Sequence, residues 1–80
     1  MFYFVEKLKG YYCPGCIGNW DATLSKIEKD LEVSICLNCG TERILYCRSI
    51  KYLKDKKGVT ELTEEEYNFL RGVLFPRNVN

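Results

Sequence analysis

Two pairs of cysteines carry most of the chemistry open to this chain. Cys13 and Cys16 stand in "YYCPGCIGNW", Cys36 and Cys39 in "CLNCG", and nineteen residues separate the pairs. Thiolates are the ligands that borderline and soft metal ions select, and two CxxC pairs at roughly this separation are the pattern of a four-thiolate zinc site. The two-residue gap lets the backbone turn tightly enough for both sulfurs to reach one ion ~2.3 Å away, and a second such turn completes a tetrahedron. Pro14, Gly15 and Gly40 are turn formers where those turns are needed.

Other thiol chemistries fit less well. A thioredoxin-like redox pair needs one CxxC opening a helix in a much longer βαβ chain. Iron in the same four sulfurs makes a rubredoxin-like electron carrier the remote alternative, and a colourless purified protein would dismiss it. Cys47 is left over and reads as a half-buried apolar thiol on a strand, with an intermolecular disulfide or a replacement ligand as sharper readings.

The chain resembles the zinc-ribbon family, whose knuckles read CPxCG and CxxCG on adjacent β-hairpin turns. The likeness covers about Tyr11 to Tyr46; CLNCG fits fully, while CPGCIG has Ile17 where the family has glycine. It implies Cys13, Cys16, Cys36 and Cys39 as ligands of one structural Zn2+ ion with no open coordination position. Many proteins of this family belong to or regulate the RNA polymerase machinery, so the resemblance implies a protein partner there, possible also in translation or modification. The rival is a treble-clef zinc finger, in which the second cysteine pair opens a helix.

These cysteines need short elements to hold them. Eighty residues, 46% hydrophobic and 29% charged, suit one soluble domain, and a chain of that size has a core small enough to need a metal or disulfides. The expected class is a small α+β zinc-stabilised domain: a zinc ribbon of short antiparallel strands with a C-terminal helix. The single domain, 1–80, divides into a ribbon core over about 3–54 and a hairpin arm and helix over about 58–76. The opening "FYFVEKLKGYYC" reads as one or two strands. Asp21 as a cap, with Leu24, Ile27 and Leu31 at helical spacing, predicts a helix from about Ala22 to Leu31. The segment "TERILYCRSIKYLKDKKG" leans towards strand through Ile44, Tyr46, Ile50 and Tyr52, and "VTEL" after Gly58 reads as a hairpin arm. Thr63 and Glu66 form a capping box, and Leu62 and Tyr67 a hydrophobic staple, so a helix starts at Glu64 and ends near Phe75, before Pro76. Tyr67, Leu70 and Leu74 share its buried face, with Phe69 and Val73 widening it.

Little else suggests catalysis. The chain has no histidine, which removes the commonest general base, and no glycine-rich phosphate loop; Glu64, Glu65 and Glu66 serve the helix N-terminus. The expectation is a protein that is not an enzyme. The start has too short an apolar run for a signal peptide or membrane span, which places the chain in the cytoplasm, away from membranes.

Charge is polarised along the chain. Arg43, Arg48, Lys51, Lys54, Lys56 and Lys57 face one acid, Asp55, whereas Met1 to Glu42 holds four basic and six acidic residues. Net charge is only +1, which argues against bulk nucleic-acid binding. Trp20, Arg43, Tyr46, Arg48, Lys51, Tyr52 and Lys54 are therefore the candidate partner surface, for a docked protein or, alternatively, for nucleic acid held by basic groups with bases stacked on Tyr.

Overall fold

The computed structural model describes residues 1–13, 15 and 18–74, without the side chains at 8–12, 18–21, 46 and 74. Its elements in chain order are β1 (Phe2–Cys13), β2 (Gly18–Glu28), β3 (Leu31–Cys36), β4 (Glu42–Tyr46), α1 (Ile50–Asp55), β5 (Val59–Leu62) and α2 (Glu64–Leu74). The strands form one antiparallel five-stranded sheet in the order β4-β3-β2-β1-β5. The domain is thus a small α+β fold with a C-terminal helix.

Both faces of this sheet are covered. Successive strand residues point to opposite sides, so β1 sends Phe2 and Phe4 one way and Tyr3 and Val5 the other. Phe2 and Phe4 join Ile27 and, from α1, Leu53, with Val59 beside them. Tyr3 joins Leu24 and, from α2, Tyr67, with Val5, Leu37, Leu62 and Leu70 around them. The rings of Tyr3 and Tyr67 lie 4.8 Å apart.

That double burial explains the largest departure from the sequence reading. The expected helix at Ala22–Leu31 is the second half of β2, a turn, and the first residue of β3. A strand buried on both sides loses the polar alternation that marks a half-exposed one. Leu24 and Ile27, taken as one helical face, serve opposite faces of the sheet. Between Glu28 and Leu31, which pair directly, Lys29 takes the left-handed backbone (φ 57°) of a tight hairpin turn.

Two other segments need correction. The strand expected through Tyr52 stops at Tyr46, and α1 follows, with the Ser49 side chain accepting from the Tyr52 N–H. Ser49 is an N-cap whose signal the apolar alternation concealed. The second cysteine pair opens a turn and then β4, so the helix that would mark a treble clef there is not formed. "VTEL" is a strand, β5, but it pairs with β1, Tyr3 to Leu62 and Glu6 to Val59, and not with the segment before it.

The C-terminal helix follows its local signals closely. Thr63 Oγ1 accepts from the Glu66 N–H at 3.1 Å and Glu66 Oε1 accepts from the Thr63 N–H at 2.9 Å, the reciprocal capping box. Leu62 and Tyr67 share a cluster, as a staple requires. The buried stripe is narrower than expected, because a single helix rests on the sheet along one side only. Phe69 and Val73 point outward, 68% and 60% exposed. Gly72 has open space where a side chain would stand, so no close contact calls for glycine there. The expected stop at Phe75 and Pro76 lies outside the described residues.

Candidate metal centre

Strand direction brings the cysteines together. In a meander, the β1–β2 and β3–β4 turns fall at the same end of the sheet, and these turns carry the two cysteine pairs. Cys13 nonetheless starts out of reach. It pairs with Gly18, five residues along β2 from Thr23, the partner of Cys36, a run of about 16 Å at strand rise. The register of β1 shifts between Lys7 and Tyr11. Extra residues on one strand bend it, and the end of the β1–β2 hairpin closes over the end of β3.

The result is a compact group. The sulfurs of Cys13, Cys36 and Cys39 all lie within 4.8 Å of one another, and Cys13 and Cys39 are 3.6 Å apart. Four sulfurs ~2.3 Å from one ion define a tetrahedron with edges of about 3.8 Å, so the spacing suits one thiolate-bound ion. This group can hold a metal ion. Cys13 and Cys36 are fully buried, Cys39 is exposed, and all three are reduced. Cys16, the fourth ligand expected from the spacing, lies outside the described residues. Cys47 is no part of the group. It sits exposed just after β4, its thiol donating to the Arg48 carbonyl at 3.3 Å, and so is not the half-buried strand thiol expected.

The second turn is held by its own backbone. The Gly40 N–H donates to the Cys36 carbonyl at 2.8 Å and the Cys36 N–H to the Thr41 carbonyl at 2.9 Å. Gly40 has φ 78°, a left-handed conformation that side-chain-bearing residues rarely adopt. Gly15 is needed for a different reason. A Cβ there would stand 1.7 Å from Thr41 Oγ1, 2.8 Å from Thr41 Cβ and 3.0 Å from Cys39 Sγ. The two turns touch at this point. Gly15→Ala is therefore expected to push the turns apart and to weaken metal retention by about 10- to 100-fold, the range for losing a supporting contact around a metal. Competition with a colorimetric zinc chelator measures it.

Sequence reasoning missed Thr41, whose Oγ1 is 3.0 Å from Cys39 Sγ. Its only signal was its place directly after CLNCG.

The candidate partner residues disperse. Trp20 lies on β2 opposite Tyr11, and Tyr46 on β4 opposite Leu31; their side chains are not described. Arg43 is exposed on β4, while Lys51, Tyr52 and Lys54 are exposed on α1, with Lys54 Nζ 5.9 Å from the centre of the Phe2 ring. Arg48 is turned inward. Its Nη1 and Nη2 donate to Glu6 at 3.1 and 2.7 Å, and its Nε and Nη2 to Glu32 at 3.1 and 2.7 Å. Lys56 adds an ion pair to Glu6. Burial alone would raise the Glu6 pKa, but hydrogen bonds and charge from Arg48 and Lys56 outweigh it and hold the carboxyl below its usual range. Hydrogen bonds to Glu6 and Glu32 raise the Arg48 pKa further. Glu6 had a signal that went unread: it shares its strand face with Phe2 and Phe4, two buried rings.

Comparison of the chain with protein-family models, with curated proteins and with solved structures found no match. Among the described residues no helix is long and apolar enough to cross a membrane.

Proposed function

We propose that this chain is a small zinc-binding adaptor, in which one structural Zn2+ held by Cys13, Cys16, Cys36 and Cys39 closes the sheet end and the surface docks on a protein partner. The convergence of Cys13, Cys36 and Cys39 from two separate hairpin turns carries the metal half of this reading. Four protein sulfurs would fill the coordination sphere, so the ion would serve folding and not catalysis. The zinc-ribbon resemblance points to the transcription machinery as the partner's setting.

The docking half rests on the surface of α1, where Tyr52 is flanked by exposed Lys51 and Lys54. The ion pairs of Arg48 and Lys56 with Glu6 and Glu32 remove two of the six basic groups from the run that would attract nucleic acid. That favours a protein partner over a polyanion. Affinity capture from native cells, with the tagged full chain as bait, tests the reading. K51E/K54E is expected to lose the captured partner at unchanged melting temperature. Undiminished capture would exclude the α1 surface, and tight oligonucleotide binding that falls steeply with salt would favour the nucleic-acid reading instead.

A further inference from the structure

The cysteines of the metal centre are unequal. Cys13 and Cys36 are fully buried, whereas Cys39 meets solvent. Its sulfur is 3.6 Å from Cys13 Sγ on one side and 3.0 Å from Thr41 Oγ1 on the other. A metal-bound thiolate has no proton, so in the loaded site the Thr41 hydroxyl donates to Cys39. A donated hydrogen bond draws charge from the sulfur and lowers its nucleophilicity. The most accessible of the three described thiolates is thus restrained by the Thr41 hydroxyl and stands beside the Cys13 sulfur.

We propose that Cys39 is an oxidation site through which a hydroperoxide empties the metal centre, with Cys13 as resolving thiol and Thr41 as the restraining residue; this rests on the zinc reading above. Cys39 Sγ attacks the terminal oxygen of the peroxide. The S–O bond forms and the O–O bond breaks; the sulfur gives up two electrons, and the peroxide, reduced, leaves as hydroxide or alkoxide. A sulfenic sulfur is a poor ligand, and its bond to the metal opens. Cys13 Sγ then attacks that sulfur as its thiolate, the S–S bond forms, and the S–O bond breaks with loss of hydroxide, which is protonated by the buffer acid. The approach from 3.6 Å to the ~2.05 Å of a disulfide needs only a small movement. With two ligands joined to each other, Zn2+ leaves. One peroxide is consumed per ion released, and a thiol reductant reverses the step.

The experiment uses the full zinc-loaded chain carrying Cys47→Ser, which removes an exposed thiol outside the site. Zinc content is measured first; one equivalent of hydrogen peroxide is then added, release is followed with a colorimetric zinc indicator, and the bridge is located by peptide mass spectrometry. The expected result is one zinc released per peroxide and a Cys13–Cys39 disulfide. Thr41→Val should release zinc about tenfold faster, the low end of effects from losing a hydrogen bond to a ligand, and Thr41→Ser at the unchanged rate. A first bridge between Cys36 and Cys39, or one that includes Cys16, would overturn the assignment, as would equal rates for the Val and parent chains. A zinc-loaded chain that keeps its metal through the peroxide defeats this proposal alone. A chain that carries no zinc at the outset defeats the metal reading itself.

Discussion

Removal of the metal by a tight chelator is expected to abolish the cooperative melting transition and most of the far-UV circular dichroism of the chain. The argument is one of magnitudes. A domain of 80 residues has a net stability of only about 4–12 kcal/mol, whereas structural zinc in small domains contributes roughly 10–16 kcal/mol near neutral pH. The core is correspondingly thin. Among the described residues, one cluster has four buried side chains and the other three, on opposite faces of the sheet, and from the cysteine-bearing turns only Leu37 packs against either. On the proposed reading, removal of the ion would take from fully buried Cys13 and Cys36 the partner that ties the end of the β1–β2 hairpin to β3. Cys36→Ser should reproduce the effect and Cys47→Ser should not, since Cys47 is exposed and outside the group. A chain that melts at the same temperature with the same spectrum after complete metal removal would show that the sheet stands without its metal.

Arg48→Met should cost about 3–5 kcal/mol, the range for leaving buried charges without their partner. Glu6 and Glu32 have side chains only 3% and 0% exposed, and one guanidinium makes two hydrogen bonds to each. Methionine fills much of the same space but answers neither carboxylate, and Lys56 reaches Glu6 alone. The loss has a signature in pH. The folded state holds Glu6 below its ordinary pKa of 4.5, so its contribution is present above that value and disappears as pH falls through the lower, folded value. In the variant that depression is largely gone. The gap in stability between the parent and Arg48→Met should therefore be widest near neutrality and narrow below pH 4.5, as urea titrations at several pH values would measure. A constant gap would mean that the arginine acts through packing and not through charge.

The same arginine shows how function and fold compete for one residue. By spacing, Arg48 belonged to a basic run and a partner surface; in the fold it faces inward and ties the segment before α1 to the middle of the sheet. Nothing local to Arg48 announces this, because its partners lie 42 and 16 residues away along the chain. Removing such a residue in a capture experiment would damage the fold and be misread as a lost contact. Lys51 and Lys54, exposed on α1, avoid that confusion.

Several features were determined by sequence alone, and each is short in range. The two CxxC pairs single out the thiols of which the fold brings Cys13, Cys36 and Cys39 together, because the spacing within a turn is a local property. The capping box of Thr63 and Glu66, with the staple of Leu62 and Tyr67, locates the start of α2 because its bonds span only three or four residues. The tertiary structure alone decided that residues 22–28 are strand, since helices on both faces of the sheet bury Leu24 and Ile27 and erase the alternation that would have identified it. It also decided that "VTEL" pairs with β1, that Arg48 is spent on Glu6 and Glu32, and that Gly15 must lack a side chain because Thr41 occupies the space. Each of these depends on which distant segment arrives alongside, and that depends on packing of the whole chain.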